Sequence, residues 1–166
     1  MMKTEENTQF KIAADGKSVY ISKQFNTQVQ NLWEAWTDAY LLDQWWAPKP
    51  WICQTKTMEF REGGRWIYSM RAPEREIIWS VMAYEEIEHL SSFEARDCFC
   101  DEHGIVSIDL PHMHWRTEFS ENELGTLLEN HIRSKSAGDL QRLIDMGFRD
   151  GYLMGLSNLE SLLIIR

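Results

Sequence analysis

The sequence predicts an α+β fold in which a curved antiparallel β-sheet wraps around a long C-terminal α-helix, with two short helices after the first strand. Three observations predict it: period-two alternation from 51 to 133, helical periodicity over 140–165, and two short helical segments ahead of Pro48. A chain of 166 residues has the length of one domain. We expect residues 1–17 to be an N-terminal extension that supplies a hairpin strand, and residues 18–166 to form the single domain.

The composition excludes several classes of protein. The chain has 17 basic and 26 acidic residues, a net charge of -9, which argues against a nucleic-acid partner. The chain has three cysteines, a low and odd number that is not typical of a disulfide framework. The polar N-terminal residues predict no signal peptide, and the lack of a long apolar run predicts no membrane span. We therefore expect a cytoplasmic protein with no membrane partner.

The N-terminal third predicts a hairpin followed by two helices. Asp15-Gly16 separates two alternating runs and is typical of a two-residue hairpin turn. Thr27 and Gln30 form a capping-box pattern ahead of an apolar helical stripe. Asp38 offers a second cap, and prolines 48 and 50 end the second helix.

The middle of the chain predicts about six strands with one apolar face. In "RWIYSMR", Trp66, Tyr68 and Met70 point to one side and the charged residues to the other. In "HMHWRTEFS", Met113 and Trp115 alternate with polar residues in the same way. This pattern is typical of an antiparallel sheet with one buried face.

The C-terminal segment predicts one long helix with a row of glycines. Ser136 and Asp139 form a capping pattern, and the apolar period over 140–165 corresponds to a helix of about 39 Å. The glycines at 147, 151 and 155 are four residues apart, so they share one helical face, and each costs about 1 kcal/mol relative to alanine. Either the helix approaches the sheet closely there or a hollow faces the glycines, and we interpret the row as a hollow.

The order of elements and three segments carry a family resemblance. The segments are "LWEAWTDAYLLDQWWAPKPW" (32–51), "MEFREGGRWIYSMR" (58–71) and "MGFRDGYLMGLSNLESLL" (146–163). They resemble the START-like, or SRPBCC, superfamily with its helix-grip fold. Within it, the chain is similar to stand-alone, C-terminal-domain-like members of the family of the activator of the ninety-kilodalton heat-shock protein ATPase.

The resemblance implies a cavity between the helix and the sheet that binds a small apolar molecule of unspecified identity. The predicted lining comes from the strands, the second helix and the long helix: Trp45, Trp46, Trp66, Tyr68, Met70, Phe93, Phe99, Met113, Trp115, Gly147, Gly151 and Met154. An ordinary packed core explains the same apolar faces.

Catalysis in the same cavity is an alternative, because the superfamily includes cyclases and hydrolases. On the predicted inward faces, Asp97 is the acid, with Asn158 and Tyr68 as further polar groups. A buried Asp97 with a raised pKa would serve as a general base, and a structural carboxylate explains the same residue.

Cysteines and histidines raise the question of a metal site. Cys98 and Cys100 lie two apart, as do His112 and His114, so each pair shares a strand face, and His103 lies between the pairs. Neighbouring strands would permit tetrahedral zinc, but the spacing matches no standard zinc motif. We therefore predict neither a metal nor another cofactor, and interpret the residues as part of a polar face.

Two protein partners are also considered. The family resemblance implies contact with the heat-shock chaperone. Leu153 and Met146 fall in the otherwise polar sector of the long helix, which predicts a homodimer contact.

Overall fold

The computed structural model describes residues 7–164, which form an eight-stranded sheet and four helices. The strands are β1 Thr8–Ile12, β2 Ser18–Phe25, β3 Ile52–Met58, β4 Arg65–Arg71, β5 Ile78–Glu88, β6 Ser92–Cys100, β7 Met113–Asn122 and β8 Gly125–Ser134. The helices are α1 Val29–Thr37, α2 Ala39–Trp45, α3 Ala137–Asp145 and α4 Phe148–Ile164. The sheet order is β1-β2-β8-β7-β6-β5-β4-β3, with every neighbouring pair antiparallel.

The curved sheet buries its concave face against the helices. In β7, Met113, Trp115 and Phe119 are buried, whereas His114 and Arg116 between them stay partly exposed on the outer face. Because successive side chains of a strand point to opposite faces, this alternation assigns each residue to one side. The predicted α+β helix-grip architecture and the six strands after the first two helices are confirmed.

Two of the turns and caps predicted from the sequence differ from those in the structure. The predicted N-terminal hairpin forms, but its connection is five residues, 13–17, rather than two, and is closed by Ala13 N–H donating to Ser18 O at 2.9 Å. The Thr27/Gln30 capping box is wrong, because α1 begins at Val29 and its cap residue, Gln28, makes no side-chain cap.

Two other predicted caps are confirmed. The Asp38 carboxylate accepts from Leu41 N–H at 3.2 Å at the start of α2. The Ser136 hydroxyl accepts from Asp139 N–H at 3.1 Å at the start of α3. Each side chain satisfies a backbone donor that the first helical turn leaves unpaired.

The prediction of one helix over 140–165 is wrong, because the helix breaks at Gly147; residue 165 lies outside the described residues. Gly147 has φ +99°, a conformation that glycine adopts without the steric cost of a Cβ. Its N–H donates to Ile144 O at 2.9 Å, while Met146 N–H donates to Arg142 O at 3.0 Å. These bonds close the end of α3, and α4 begins at the next residue.

The other two glycines lie within α4 and differ in their surroundings. A Cβ on Gly155 would lie 3.2 Å from the carbonyl oxygen of Trp46 and 3.4 Å from that of Trp45. Asn158 Nδ2 donates to the carbonyls of Trp45, at 3.4 Å, and Ala47, at 3.2 Å, which fixes this segment. A Cβ on Gly151 would meet only Pro48 Cγ, at 3.5 Å. Close approach, rather than a hollow, therefore explains Gly155.

Buried polar contacts connect α4 to the sheet. The Tyr152 hydroxyl donates to Asn130 Oδ1, and Asn130 Nδ2 donates to Thr117 Oγ1 at 3.0 Å. Lys23 Nζ, fully buried on β2, lies 3.4 Å from Glu160 Oε2, and burial lowers the pKa of this lysine. Because a buried polar group is costly without a partner, these contacts favour one position of the helix.

The two residues behind the predicted homodimer contact lie in different environments. Met146 is 53% exposed, whereas Leu153 is half-buried and packs against the core. The prediction assumed one continuous helix, in which Met146 and Leu153 share a face. Because the helix breaks at Gly147, the two residues no longer belong to one helical face. Within residues 7–164, no helix has the length and apolar character needed to cross a bilayer.

Replacing Gly155 and Gly151 separately by alanine tests the close approach. Gly155→Ala should lower the free energy of unfolding by about 1–3 kcal/mol, because the methyl group crowds carbonyls that Asn158 holds in place. Gly151→Ala should raise it by up to about 1 kcal/mol through helix propensity. Urea unfolding of both variants measures the difference, and equal shifts would contradict the assignment.

Candidate functional site

The strand register gathers the candidate site on the concave face. One row across the sheet contains Trp66, Met82, Asp97, Met113 and Ser134. The row on one side contains Tyr84, Ala95, Trp115 and Ile132, and the row on the other contains Tyr68, Ser80 and Phe99. Asp97 therefore lies between two rows that are mostly apolar and aromatic.

The carboxyl group of Asp97 is electrostatically unusual. Burial raises its pKa to about 7, and the nearby indole of Trp115 acts in the opposite direction. The same carboxylate adds to the effect of burial in raising the pKa of Tyr84 and of Tyr68. At neutral pH, Asp97 is thus able to donate a hydrogen bond when protonated and to accept one when ionised.

Two buried polar side-chain atoms of the concave face lack a hydrogen bond of regular geometry, one beside Asp97 and the other two strands away from it. Among residues 7–164, neither Trp115 Nε1 nor Ser134 Oγ makes a regular hydrogen bond, although both atoms are buried. Ser134 lies opposite Met113, which in turn lies opposite Asp97. An unpaired buried donor costs about 1–3 kcal/mol, so two in one region require an explanation.

Other indole groups of the core differ in this respect. Trp45 Nε1 donates to Ala35 O at 2.8 Å, and Trp66 Nε1 donates to Thr55 Oγ1 at 3.0 Å. Trp36 Nε1, farther along the core, is also unpaired within the described part of the chain. The lack of a regular hydrogen bond at Trp115 is therefore not a general property of the tryptophans of this core.

Aromatic rings cover part of the concave face. The Trp115 ring lies 5.2 Å from Tyr152 and 6.1 Å from Phe148, both on α4, and 6.0 Å from Trp46. Most of these pairs are edge-to-face, a favourable arrangement for buried rings. At Trp115, the space beneath α4 is thus occupied by side chains.

Most of the predicted lining residues share one environment. The buried cluster on the concave side includes Trp45, Trp46, Trp66, Tyr68, Phe93, Met113 and Trp115. Met70 and Phe99 pack against it and remain half-buried, and Asp97 is likewise partly exposed. These three residues form the accessible edge of the site.

Three predicted helical members of the lining lie elsewhere. Gly147 is exposed at the break, with nothing within 4 Å of an added Cβ, and Met154 is 45% exposed on the outer side of α4. Gly151 is half-buried beside Pro48. The prediction extended one helical phase through Gly147, and the break invalidates that phase.

Of the polar residues predicted for catalysis, two lie together on the concave face and the third does not. Asp97 influences Tyr68, as their shared concave face requires, whereas Asn158 is engaged with backbone carbonyls of α2 and the segment after it. Ser134 and Tyr152 were missed by sequence reasoning. The period-two pattern of "LLENHIRS" assigns Ser134 to the face of Leu128 and Ile132, so alternation was a usable signal.

The cysteines and histidines considered for a metal site do not form one cluster. Cys98 and Cys100 are buried with Ile67 and Val81, and burial raises the pKa of both thiols, that of Cys100 to about 11. His114 Nε2 lies 3.0 Å from Glu85 and 3.3 Å from Glu94. In residues 7–164, no group of three His, Cys, Asp or Glu side chains is arranged to hold a metal ion.

Comparisons with known proteins identify the relatives of the chain. The family model described as Activator of Hsp90 ATPase homolog 1-like protein matches residues 26–163. The crystal structure of protein Ms6760 from Mycobacterium smegmatis is 27% identical, with a TM-score of 0.86, and the match covers 94% of this chain and 96% of that one. A solution structure from Arthrobacter aurescens is 25% identical, with a TM-score of 0.87 and coverage of 95% and 92%. Among curated proteins, none matches the chain.

Asp97→Asn should change the pH dependence of stability. An unfolded Asp has a pKa of about 3.9, so between about pH 4 and pH 7 the folded state retains a proton that the unfolded state has released. The stability of the unsubstituted protein therefore falls through this window as pH rises.

Asparagine carries no charge, so the variant should gain about 1–3 kcal/mol relative to the parent at pH 8, and much less at pH 4. Urea unfolding across this range measures it, with Asp109→Asn at an exposed position as the control. A difference that does not vary with pH would contradict the raised pKa.

Proposed function

Because the chain belongs to the family of Activator of Hsp90 ATPase homolog 1-like proteins, we propose that it binds a small, largely apolar molecule on the concave face of its sheet. The fold of this family commonly binds hydrophobic ligands. The proposed position is the region around Asp97, Met113 and Trp115, where apolar walls surround a few polar atoms. Such a combination is typical of small-molecule sites.

The observation that carries the proposal is the buried indole N–H of Trp115, which lies beside the Asp97 carboxyl but makes no hydrogen bond of regular geometry within residues 7–164. A carbonyl or hydroxyl oxygen of a ligand would accept from this donor and remove the cost of leaving it unpaired. The Ser134 hydroxyl, on the other side of Met113, offers a second donor to the same region. The ligand should therefore carry an oxygen acceptor at one end.

The remainder of the ligand should be apolar. Met82 and Met113 flank Asp97 along its row, with Trp66 beyond Met82, and their flexible or flat side chains suit an apolar body. An uncharged ligand is favoured, because the site already contains a carboxyl group whose ionisation is opposed by burial.

The half-buried edge supports a direction of entry. Met70, Asp97 and Phe99 retain contact with solvent, whereas Trp46 and Tyr152 close the face farther in. A ligand that enters at this edge would displace or rotate the rings above Trp115. The proposed site is thus narrower than the cavity inferred from the sequence.

Titration with Nile red, a neutral apolar dye with a carbonyl acceptor, tests the proposal by NMR of the indole N–H groups. The resonance of Trp115, assigned with Trp115→Phe, should move as the dye binds. The resonances of Trp45 and Trp66 should move much less, because their N–H groups already have acceptors. A neutral dye avoids attraction to charged outer surfaces.

Asp97→Leu provides the second arm, because it replaces the polar group by an apolar one of similar size. If the dye is oriented by the polar atoms, this variant should reduce the Trp115 shift at saturation. Dye binding that leaves Trp115 unmoved, or an absence of binding, would contradict the proposal. In the latter case, a chaperone ATPase assay would test the activity in the family description.

A further inference from the structure

A second candidate region lies on the opposite, outer face of the sheet. A groove of about 1020 Å³ runs between the β1–β2 hairpin and strands β6 to β8. Its lining includes five cationic side chains, Lys11, Arg96, Arg116, Arg133 and Lys135, but one carboxylate, Glu94. The lining of the groove is therefore mainly basic, although the chain has a net charge of -9.

Nearby carboxylates neutralise only the inner part of this groove. Arg96 Nη2 lies 3.8 Å from Glu85, and Arg116 lies 3.4 Å from both Glu94 and Glu118. His131 Nε2 lies 2.7 Å from Glu118 and His114 lies between Glu85 and Glu94. These contacts form a network on the floor formed by β5 to β8.

Three cations of the groove remain outside that network. Within residues 7–164, no carboxylate lies within 4.0 Å of Lys11, Arg133 or Lys135. The register places Arg133 between His114 on β7 and Ser18 on β2. Lys11, Arg133 and Lys135 line the same groove, and like charges repel each other, so an anion among them would be stabilising.

We propose that this groove binds the phosphate group of a small molecule, with Arg133 as the principal contact and Lys11 and Lys135 as further cations. The planar guanidinium of Arg133 suits two parallel hydrogen bonds to phosphate oxygens, and lysines supply point charges. The volume of the groove suits a ligand of nucleotide size.

The overall charge selects a small ligand over a polymer. A long nucleic acid would extend beyond the groove and meet an acidic surface, since acidic residues exceed basic ones by nine. A compact phosphate compound would contact the cations of the groove and avoid most of that acidic surface. The Tyr20 and His131 rings, 5.3 Å apart on the groove wall, offer a surface for an organic part of the ligand.

Isothermal titration calorimetry with pyrophosphate and with adenosine diphosphate, at low ionic strength, tests this inference. Arg133→Glu should weaken binding of both probes about tenfold or more, and added salt should weaken it further. Arg75→Glu, at an exposed position outside the groove, is the matched control and should leave affinity within about twofold. Tighter binding of the nucleotide indicates an organic phosphate as the ligand, equal binding indicates that the phosphate groups alone are recognised, and tighter binding of pyrophosphate indicates the inorganic ion.

Lys11→Glu provides an independent variant should Arg133→Glu disturb the sheet, and a thermal melt checks the folding of each protein. Lys11→Glu should weaken both probes several-fold. Binding of neither probe, an unchanged affinity in both groove variants, an equal loss in Arg75→Glu, or tighter binding of an RNA oligonucleotide than of the nucleotide would overturn the inference.

Discussion

The position of Trp46 is the constraint on which the rest of the structure depends. Its ring contacts Trp36 of α1, Trp66 of β4 and Trp115 of β7, at centroid distances of 5.6, 5.3 and 6.0 Å. Its carbonyl oxygen faces Gly155 of α4 so closely that a Cβ there would lie at 3.2 Å. Trp46 thus contacts α1, α4 and the sheet. Its close contact with α4 is possible because Gly155 has no side chain.

This arrangement separates the two faces of the sheet chemically. Along β6, Asp97 lies on the concave face, at its partly exposed edge, while Arg96, one residue earlier, points to the outer face and lies near Glu85. Ionisable side chains are therefore in different environments on the two faces of the sheet. Burial raises the pKa of Asp97 to about 7, whereas the outer groups form a network of partly exposed ion pairs, each of which contributes little to stability.

The sequence predicts the order of the elements and the inward residues of the strands, because period-two alternation specifies a face directly. It does not predict the division of the C-terminal helix, because apolar periodicity continues across Gly147 and conceals a backbone break with φ +99°. A glycine just after a helical segment is nonetheless a known C-terminal signal. The unpaired state of Trp115 was beyond sequence reasoning, since it depends on which acceptors the folded core provides.

The methyl resonances of the methionines test ligand binding on the concave face most directly. Met82 and Met113 flank Asp97 on that face, whereas Met146, just after α3, and Met154, on α4, are 53% and 45% exposed. In a protein labelled at the methionine methyl groups and saturated with Nile red, we expect cross-relaxation between the dye and Met82 and Met113. Cross-relaxation confined to Met146 and Met154, with the two interior methyl groups unaffected, would contradict the account.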